Sequence, residues 1–388
     1  MWRLRDRQKC SGRPPGASYE FESARYVCCF RFLAEYTPSD EIRCVADKTK
    51  SEQSSKLSDR NSYIAINHND EPDPICELVV IPGRRKFWKW VDFGFADAEK
   101  AIVVTRPRSS ETVPQDVIVW LALALLCDMK QVLIIINNFE NLPEEEVDEF
   151  EKNIRTDVAR IVTDDSVTCT ILRLPPQPKS DDLHPVRIFL STPSRNQPNC
   201  PFHMSINLIH AREGSVIVGG KILGGTVSTD DSSLMLLPSR IPLKATSIHT
   251  VGNRSVSRAS SGEVVGIFLD NLSHEHVETG MIIEKSDEDL DGTSTRSFTA
   301  DVNFFNTKFI INQNFCPVLS IHCFQTLAKI VSIHKPAHIG DCVRCTFSLN
   351  KTAFVQVFDS TKNRPYSRII LRQENIVIAL GVIREVVS

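Results

Sequence analysis

The order of apolar and polar positions divides the chain into three stretches of different character. Residues 1–70 hold no sustained period of either kind, and "DKTKSEQSSKLSDRNS" (47–62) is polar throughout, which reads as loop or disordered chain. From residue 75 short apolar runs alternate with helical spacing. Strands are expected at "ICELVVI" (75–81), "AIVV" (101–104), 131–136 and 167–172. Helices are expected over 115–129 and over the acidic "PEEEVDEFEKNIRTDVARIV" (143–162), with Pro143 at its first turn. This alternation predicts a βαβ sheet. A proline-rich connector, "LPPQPKSDDLHPV" (174–186), closes the stretch.

After about residue 200 the helical spacing stops. Short runs rich in Val, Ile, Phe and Thr follow one another between turn signals, as in "HMSINLIH", "GSVIVGGKIL", "LKATSIHTV" and "EVVGIFL". Such spacing predicts small β-barrels. Glycine marks the same division: residues 95–213 contain none, whereas Gly214, Gly219, Gly220, Gly224 and Gly225 crowd together. The acidic "EKSDEDLDGTST" (284–295) reads as a linker, and a second β-rich block runs from Phe298 to the end.

One strand poses a chemical question. "LIIINNFE" (133–140) is uncharged and β-branched through Ile136, then turns abruptly polar. An apolar run of this kind suits a strand buried on both faces of a parallel sheet. Ligands of such sheets sit at the carboxyl ends of the strands, where Asn137, Asn138 and Glu140 fall. The plainer alternative is a polar turn that ends a strand.

Composition narrows the class without deciding it. A chain of 388 residues is long enough for two or three domains. Its net charge of −3 gives no global attraction to DNA, RNA or membrane, so any such contact must be a local patch. Twelve scattered cysteines and a charged opening "MWRLRDRQKC" favour reduced thiols in the cytoplasm. The longest apolar run, Val117 to Cys127, is too short to span a bilayer.

The motifs then carry a resemblance. "KQVLIIINNFE" resembles the segment of elongation factor 1-alpha that ends in Asn-Lys-x-Asp, and "ELVVIPGRRKF" resembles its Asp-x-Pro-Gly-His segment. "GSVIVGGKILGGTVSTDD" and "GEVVGIFL" are similar to strands of that family's first barrel. "FTADV", "FCPVLSIHC" and "RIILRQENIVIALGVIREV" resemble its second. The closing piece resembles elongation factor 1-alpha, the release-factor GTPase subunit and the Hbs-type ribosome-rescue factors. The resemblance covers about residues 60–388 and is most specific over the last 190. It implies an α/β plus all-β fold: a degenerate P-loop-GTPase-like parallel-sheet domain and two barrels similar to domains two and three of elongation factor Tu. The expected divisions are 1–74, a divergent N-terminal part; 75–183, the α/β domain; and barrels at 198–285 and 296–388.

By the same resemblance GTP and Mg²⁺ are the family's cofactors, yet their ligands are altered here. A phosphate loop needs glycine-exposed N–H groups, a Lys and a Ser/Thr. The Gly-Lys pair of this chain, Gly220-Lys221, lies in the first barrel and is followed by Ile222. Ahead of the first sheet strand Gly12 and Gly16 flank two prolines, which donate no N–H. In "DRNSYIAI" (59–66) Tyr63 stands where the family's magnesium-binding Thr would be. Aligned on Pro82 and Gly83, the magnesium-side Asp becomes Val80 and the water-ordering His becomes Arg84. In the base-reading motif Asn137 is kept, the Lys becomes Asn138 and the Asp becomes Glu140. Each lost charge-assisted contact is worth about 1.5–3 kcal/mol. Four or five losses remove roughly 6–15 kcal/mol, against about 12 for nanomolar binding. Tight GTP binding is therefore not expected, and no residue is assigned to catalysis.

Other clusters have plain alternatives. Arg84, Arg85, Lys86 and Lys89 interleave with Trp88 and Trp90, a pattern that can grip RNA or simply form a solvated helix start over two core Trp. His334, His338, Cys342 and Cys345 have zinc-like spacing, but "DCVRCTFSL" reads as a strand, where positions three apart face opposite ways. No metal site is expected. His274 to His276 read as a polar turn and His322 as a satisfied barrel histidine. The resemblance implies a cytoplasmic translation factor whose barrels bind the ribosome, tRNA or a tRNA-shaped release or rescue factor. The rivals are a working GTPase with an unorthodox site, or with its phosphate loop missing from this sequence, and an interaction scaffold away from the ribosome.

Overall fold

The computed structural model describes strands at 2–5, 25–31, 62–68 and 74–82, then residues 98–107, 115–126, 129–162, 167–175, 178–179, 181–192 and 200–387, the last with short gaps at 213–214, 251–254, 271, 289, 306, 308–309, 363 and 375. The chain divides into two compact units, Met1–Asn196 and Gln197–Ser388.

The first unit is built on one seven-stranded sheet. Its strands are β1 (Trp2–Arg5), β2 (Arg25–Arg31), β3 (Ser62–His68), β4 (Pro74–Pro82), β5 (Lys100–Thr105), β6 (Gln131–Ile136) and β7 (Thr168–Arg173), in the order β1-β3-β4-β2-β5-β6-β7. The run from β4 through β2, β5, β6 and β7 is parallel, while β3 is antiparallel to β4 and β1 to β3. Val132 to Ile136 are all buried, as an interior strand covered on both faces requires. Three of these strands fall within residues 1–70, where the pattern had suggested irregular chain. β2, "RYVCCFR", occupies the centre of the sheet. Its unbroken run Tyr26–Phe30 is too short to show a period, and only its two parallel neighbours complete it.

Three helices are described in this unit: α1 (Gln115–Leu126), α2 (Glu144–Ile161) and α3 (His184–Ser191). In α2, Val147, Phe150 and Ile154 form the buried stripe, and Glu144, Glu145 and Glu146 lie at the positive end of the helix dipole. Arg173, the last residue of β7, binds Glu144 at 2.7 Å and Asp148 and Glu151 at 2.6 Å each. These pairs fix the start of α2 against the carboxyl end of the sheet. α3 begins inside the stretch read as a connector, with Pro185 in its first turn, where a missing N–H costs nothing. Its Leu190 packs with Ile102, Leu133, Ile135 and Leu174. The fully buried Lys100 of β5 donates to the carbonyls of Phe189 (2.6 Å) and Thr192, closing the helix C-terminus with a cation.

The second unit holds two β structures. The first is a curled nine-stranded sheet, completed by the strand pair Thr226–Ser228 and Arg258–Ser260. Val216, Val218, Ile222, Val265, Ile267 and Leu269 alternate into its core. The second is a closed barrel of six strands in the order Thr293–Phe304, Cys342–Val355, Phe324–Ile333, Val318–Ile321, Arg368–Gln373, Ile376–Val386.

The segment 284–295 is not a loose linker. Strands run into it from both sides, ending at Lys285 and starting at Thr293, and Leu290 between them is buried in the closed barrel's core cluster. The Glu288 carboxylate accepts from the Phe202 backbone, and Gln356 donates to the Leu290 carbonyl at 2.7 Å. Its acidic composition concealed these anchors. Leu223, Leu237 and Ile282 of the first sheet join the same core cluster, so the two β structures share a hydrophobic seam.

Candidate functional site

The carboxyl ends of β5, β6 and β7 lie side by side, and their first loop residues are tied to one another. The Asn137 N–H donates to the Thr105 carbonyl at 2.9 Å, and the Leu174 N–H donates to the Ile136 carbonyl at 2.9 Å. The Asn137 side-chain amide then reaches across to the loop after β7, donating to the carbonyls of Leu174 (2.7 Å) and Pro175 (3.2 Å). Both amide hydrogens are thereby engaged within the protein. Asn138 has φ +55°, a left-handed conformation that Asn tolerates better than most residues, and its side chain is exposed. Glu140 is exposed on the turn closed by the Leu142 N–H on the Phe139 carbonyl.

Of the three expected base-end residues, one therefore points inward as a tie and two stand at the rim. The loop that Asn137 holds opens the stretch that reads in sequence as a proline-rich connector, with no tie to the site. "LPPQ" (174–177) contains two consecutive prolines, and neither has an N–H to offer a ligand. The signal was present, but without the sheet order nothing linked that loop to Asn137.

Pro82 is the last residue of β4, in the parallel run. Tyr63 and Val80 lie within β3 and β4, paired in register with Val79 and Ser62. Gly83, Arg84, Arg85, Lys86, Trp88, Lys89 and Trp90 lie outside the described residues. The phosphate end of the expected site is thus not described.

In the closed barrel, Cys345 points into the core with Val343 and Phe347, where burial pushes its thiol up to about 12, while Cys342 is exposed. His334 and His338 are exposed as well. Among the described residues no three His, Cys, Asp or Glu side chains converge as metal ligands. His274 to His276 form a 3₁₀ turn capped by Ser273. His322 is half-buried, and its Nδ1, shielded from solvent, has no hydrogen-bond partner, so it is not a satisfied histidine.

Comparison with known proteins adds kinship to this geometry. No family model matches the chain. It is 27% identical over 140 residues to the eukaryotic peptide chain release factor GTP-binding subunit of Zygosaccharomyces rouxii, spanning 36% of this chain and only 20% of that protein. It is 22% identical over 396 aligned positions to elongation factor 1-alpha of Stylonychia lemnae, covering 89% of this chain and 84% of that protein. Among solved structures, the GTPase-like domain of Ski7 from S. cerevisiae, bound to GTP, superposes with a TM-score of 0.68 at 12% identity, over 93% of this chain and 97% of that one. That likeness shows the fold. In sequence and in fold the chain is similar to translational GTPases, and these likenesses together support that superfamily. No helix among the described residues is long and apolar enough to cross a membrane.

Proposed function

We propose that this protein is a cytoplasmic translation or ribosome-rescue factor that binds the ribosome, tRNA or a tRNA-shaped partner through its β structures, with little or no GTP binding. The observation that carries the second half is the pair of bonds from Asn137 to Leu174 and Pro175. The base end of the sheet presents a carboxamide already engaged and a loop whose two prolines offer no N–H, a poor fit to a guanine edge. The altered Val80, Arg84 and Asn138 point the same way. The described β patterning supports the first half, because a chain that kept both barrels and lost the timing site keeps a binding role. Arg84, Arg85, Lys86 and Lys89 supply a candidate contact to ribosomal RNA.

The test has two arms. Titration with a fluorescent GTP analogue is expected to show no specific binding at micromolar concentration. A micromolar or tighter constant abolished by Asn137→Ala overturns that half. Co-sedimentation with ribosomes is expected at low salt and to weaken as salt rises, with a log–log slope of about −0.7 to −0.9 per phosphate neutralised. Replacing Arg84, Arg85 and Lys86 with Ala should flatten it. Exclusion from ribosomal fractions at every salt favours the scaffold reading.

A second reading rests on one specific observation: the structurally similar Ski7 domain was solved with GTP bound. On that reading this chain holds GTP as a fixed structural ligand and does not cycle. Binding without hydrolysis in the same titration selects it.

A further inference from the structure

The seam between the two β structures is lined by residues that strand alternation points away from both cores. In His203–Ser205, Met204 enters the first core, so His203 and Ser205 face outward. By the same parity Lys221 faces outward beside Ile222, and Glu284 beside Ile283. On the closed barrel Leu319 and Leu371 point inward, so Ser320 and Arg372 face outward. Yet His203, Ser205, Lys221, Ser320 and Arg372 are all buried. Each structure covers the other's polar face.

His322 sits in the hairpin between Val318–Ile321 and Phe324–Ile333, with φ +52°, an uncommon conformation for a histidine. The approach there is tight. Gly280, at φ +89°, leaves no room for a side chain, since a Cβ would fall 2.2 Å from the Phe324 Cα. Tyr366 lies edge-on to both imidazoles, 5.8 Å from His203 and 5.7 Å from His322 between ring centroids. The His203 Nδ1 is 2.9 Å from the Pro201 carbonyl, so it carries the proton and donates. That leaves its Nε2 a bare lone pair without a hydrogen-bond partner, as the His322 Nδ1, Tyr366 Oη and Ser205 Oγ are also without one.

We propose that His203 and His322 form a proton-sensitive joint, which holds the two β structures together while both rings are neutral and releases them when either takes a proton. A charged His203 would be a buried cation, and at either ring the unpartnered nitrogen is shielded from solvent and has no acceptor for an added proton. Lys221 and Arg372 add positive charge from the neighbouring strands, Cys323 lies nearby, and burial pushes the Cys200 thiol and the Tyr366 phenol up, so neither offers a negative charge near neutrality. Glu284, the register partner of His203, and Glu288 with Lys285 in the connecting segment complete the titratable groups around the seam. Glu284, half-buried, is the one carboxylate among them that faces His203 in register, and its charge would oppose opening.

The direction follows from the folded pKa values. Burial holds His203 at about 4, and burial with the charges of His203 and Lys221 holds His322 at about 3, both below 6.5. An opened seam restores a value near 6.5, so below that pH the open form binds protons the closed form refuses. Opening is therefore favoured progressively as pH falls from 6.5 towards 4, by about tenfold per pH unit for each histidine.

Hydrogen–deuterium exchange on the full chain between pH 7.5 and 4.5, corrected for intrinsic rates, tests the proposal. Peptides over 318–324 and 364–368 should lose protection by about tenfold per unit or more below pH 6.5, while 343–349 in the barrel wall stays protected. His203→Gln should lower the slope, and His203→Gln with His322→Gln should abolish it. If the double variant does not fold at neutral pH, the single one decides. Seam protection that persists to pH 4.5, a slope unchanged in His203→Gln, or simultaneous loss over 343–349 overturns the proposal.

Discussion

Gln356 and Leu290 are joined by a fully buried bond, the side-chain amide of one donating to the carbonyl of the other at 2.7 Å across 66 residues of sequence. The Gln356 Oε1 also accepts from the Tyr366 N–H at 3.3 Å, and its own N–H donates to the Tyr366 carbonyl at 3.0 Å. One side chain thus fastens the inter-barrel segment and the 3₁₀ turn Pro365–Ser367 to the barrel wall.

Gln356→Leu keeps the volume but strands the Leu290 carbonyl and the Tyr366 N–H. The expected cost is about 2–6 kcal/mol, at 1–3 for each unsatisfied group. The second unit contains no tryptophan, since Trp2, Trp88, Trp90 and Trp120 all precede residue 197. Urea unfolding should therefore show an earlier loss of β circular dichroism with the tryptophan emission midpoint unchanged. A shared shift of both signals contradicts this assignment.

Asn137 gives a directional test of its tie to the loop after β7. Asn137→Ala removes two donors and should cost about 1–2 kcal/mol. Asn137→Asp should cost more, because a carboxylate would face the carbonyls of Leu174 and Pro175, two like dipole ends. Thermal melts followed by tryptophan emission rank the variants. Aspartate tolerated better than alanine removes the tie.

Lys100 closes α3 from inside the sheet, with its ammonium 5.2 Å from the Phe189 ring centre. Lys100→Met preserves the apolar stem and deletes the charge, leaving the last carbonyls of α3 without their cation. A loss of about 1–3 kcal/mol is expected, less than the sum of the bonds because burying an ammonium is itself costly. Amide exchange should rise first over 186–192. An unaffected α3 would show that packing of Leu190 alone holds the helix.

Arg173 gathers three carboxylates of α2, and a Glu151–Arg155 pair at the same face adds a fourth contact. Arg173→Met leaves Glu144, Asp148 and Glu151 mutually repelling. The loss should be about 1–2 kcal/mol at low ionic strength and shrink by half or more in 1 M salt, because these partners are largely solvent-screened. A salt-independent loss points instead to the packing of the arginine stem.

The sequence by itself determined the local elements wherever a residue's surroundings repeat along the chain. The run 132–136 was legible because it is apolar at every position, and the acidic helix with its Val147, Phe150 and Ile154 stripe and the alternating strands of the second unit because burial there follows a period of 3.6 or two. The polar end of the 132–136 run at Asn137, Asn138 and Glu140 was legible as residues, though the bonds of Asn137 to the next loop were not. Only tertiary structure decided the rest. β2 became the central strand because β4 and β5 flank it, and Asn137 met Leu174 because β6 and β7 are neighbours. His203, Ser205, Lys221, Ser320 and Arg372 occupy the outward phase of their strands, which alternation assigns to water. They are buried because a second β structure covers them, and no pattern within a strand encodes what will lie on its outer face.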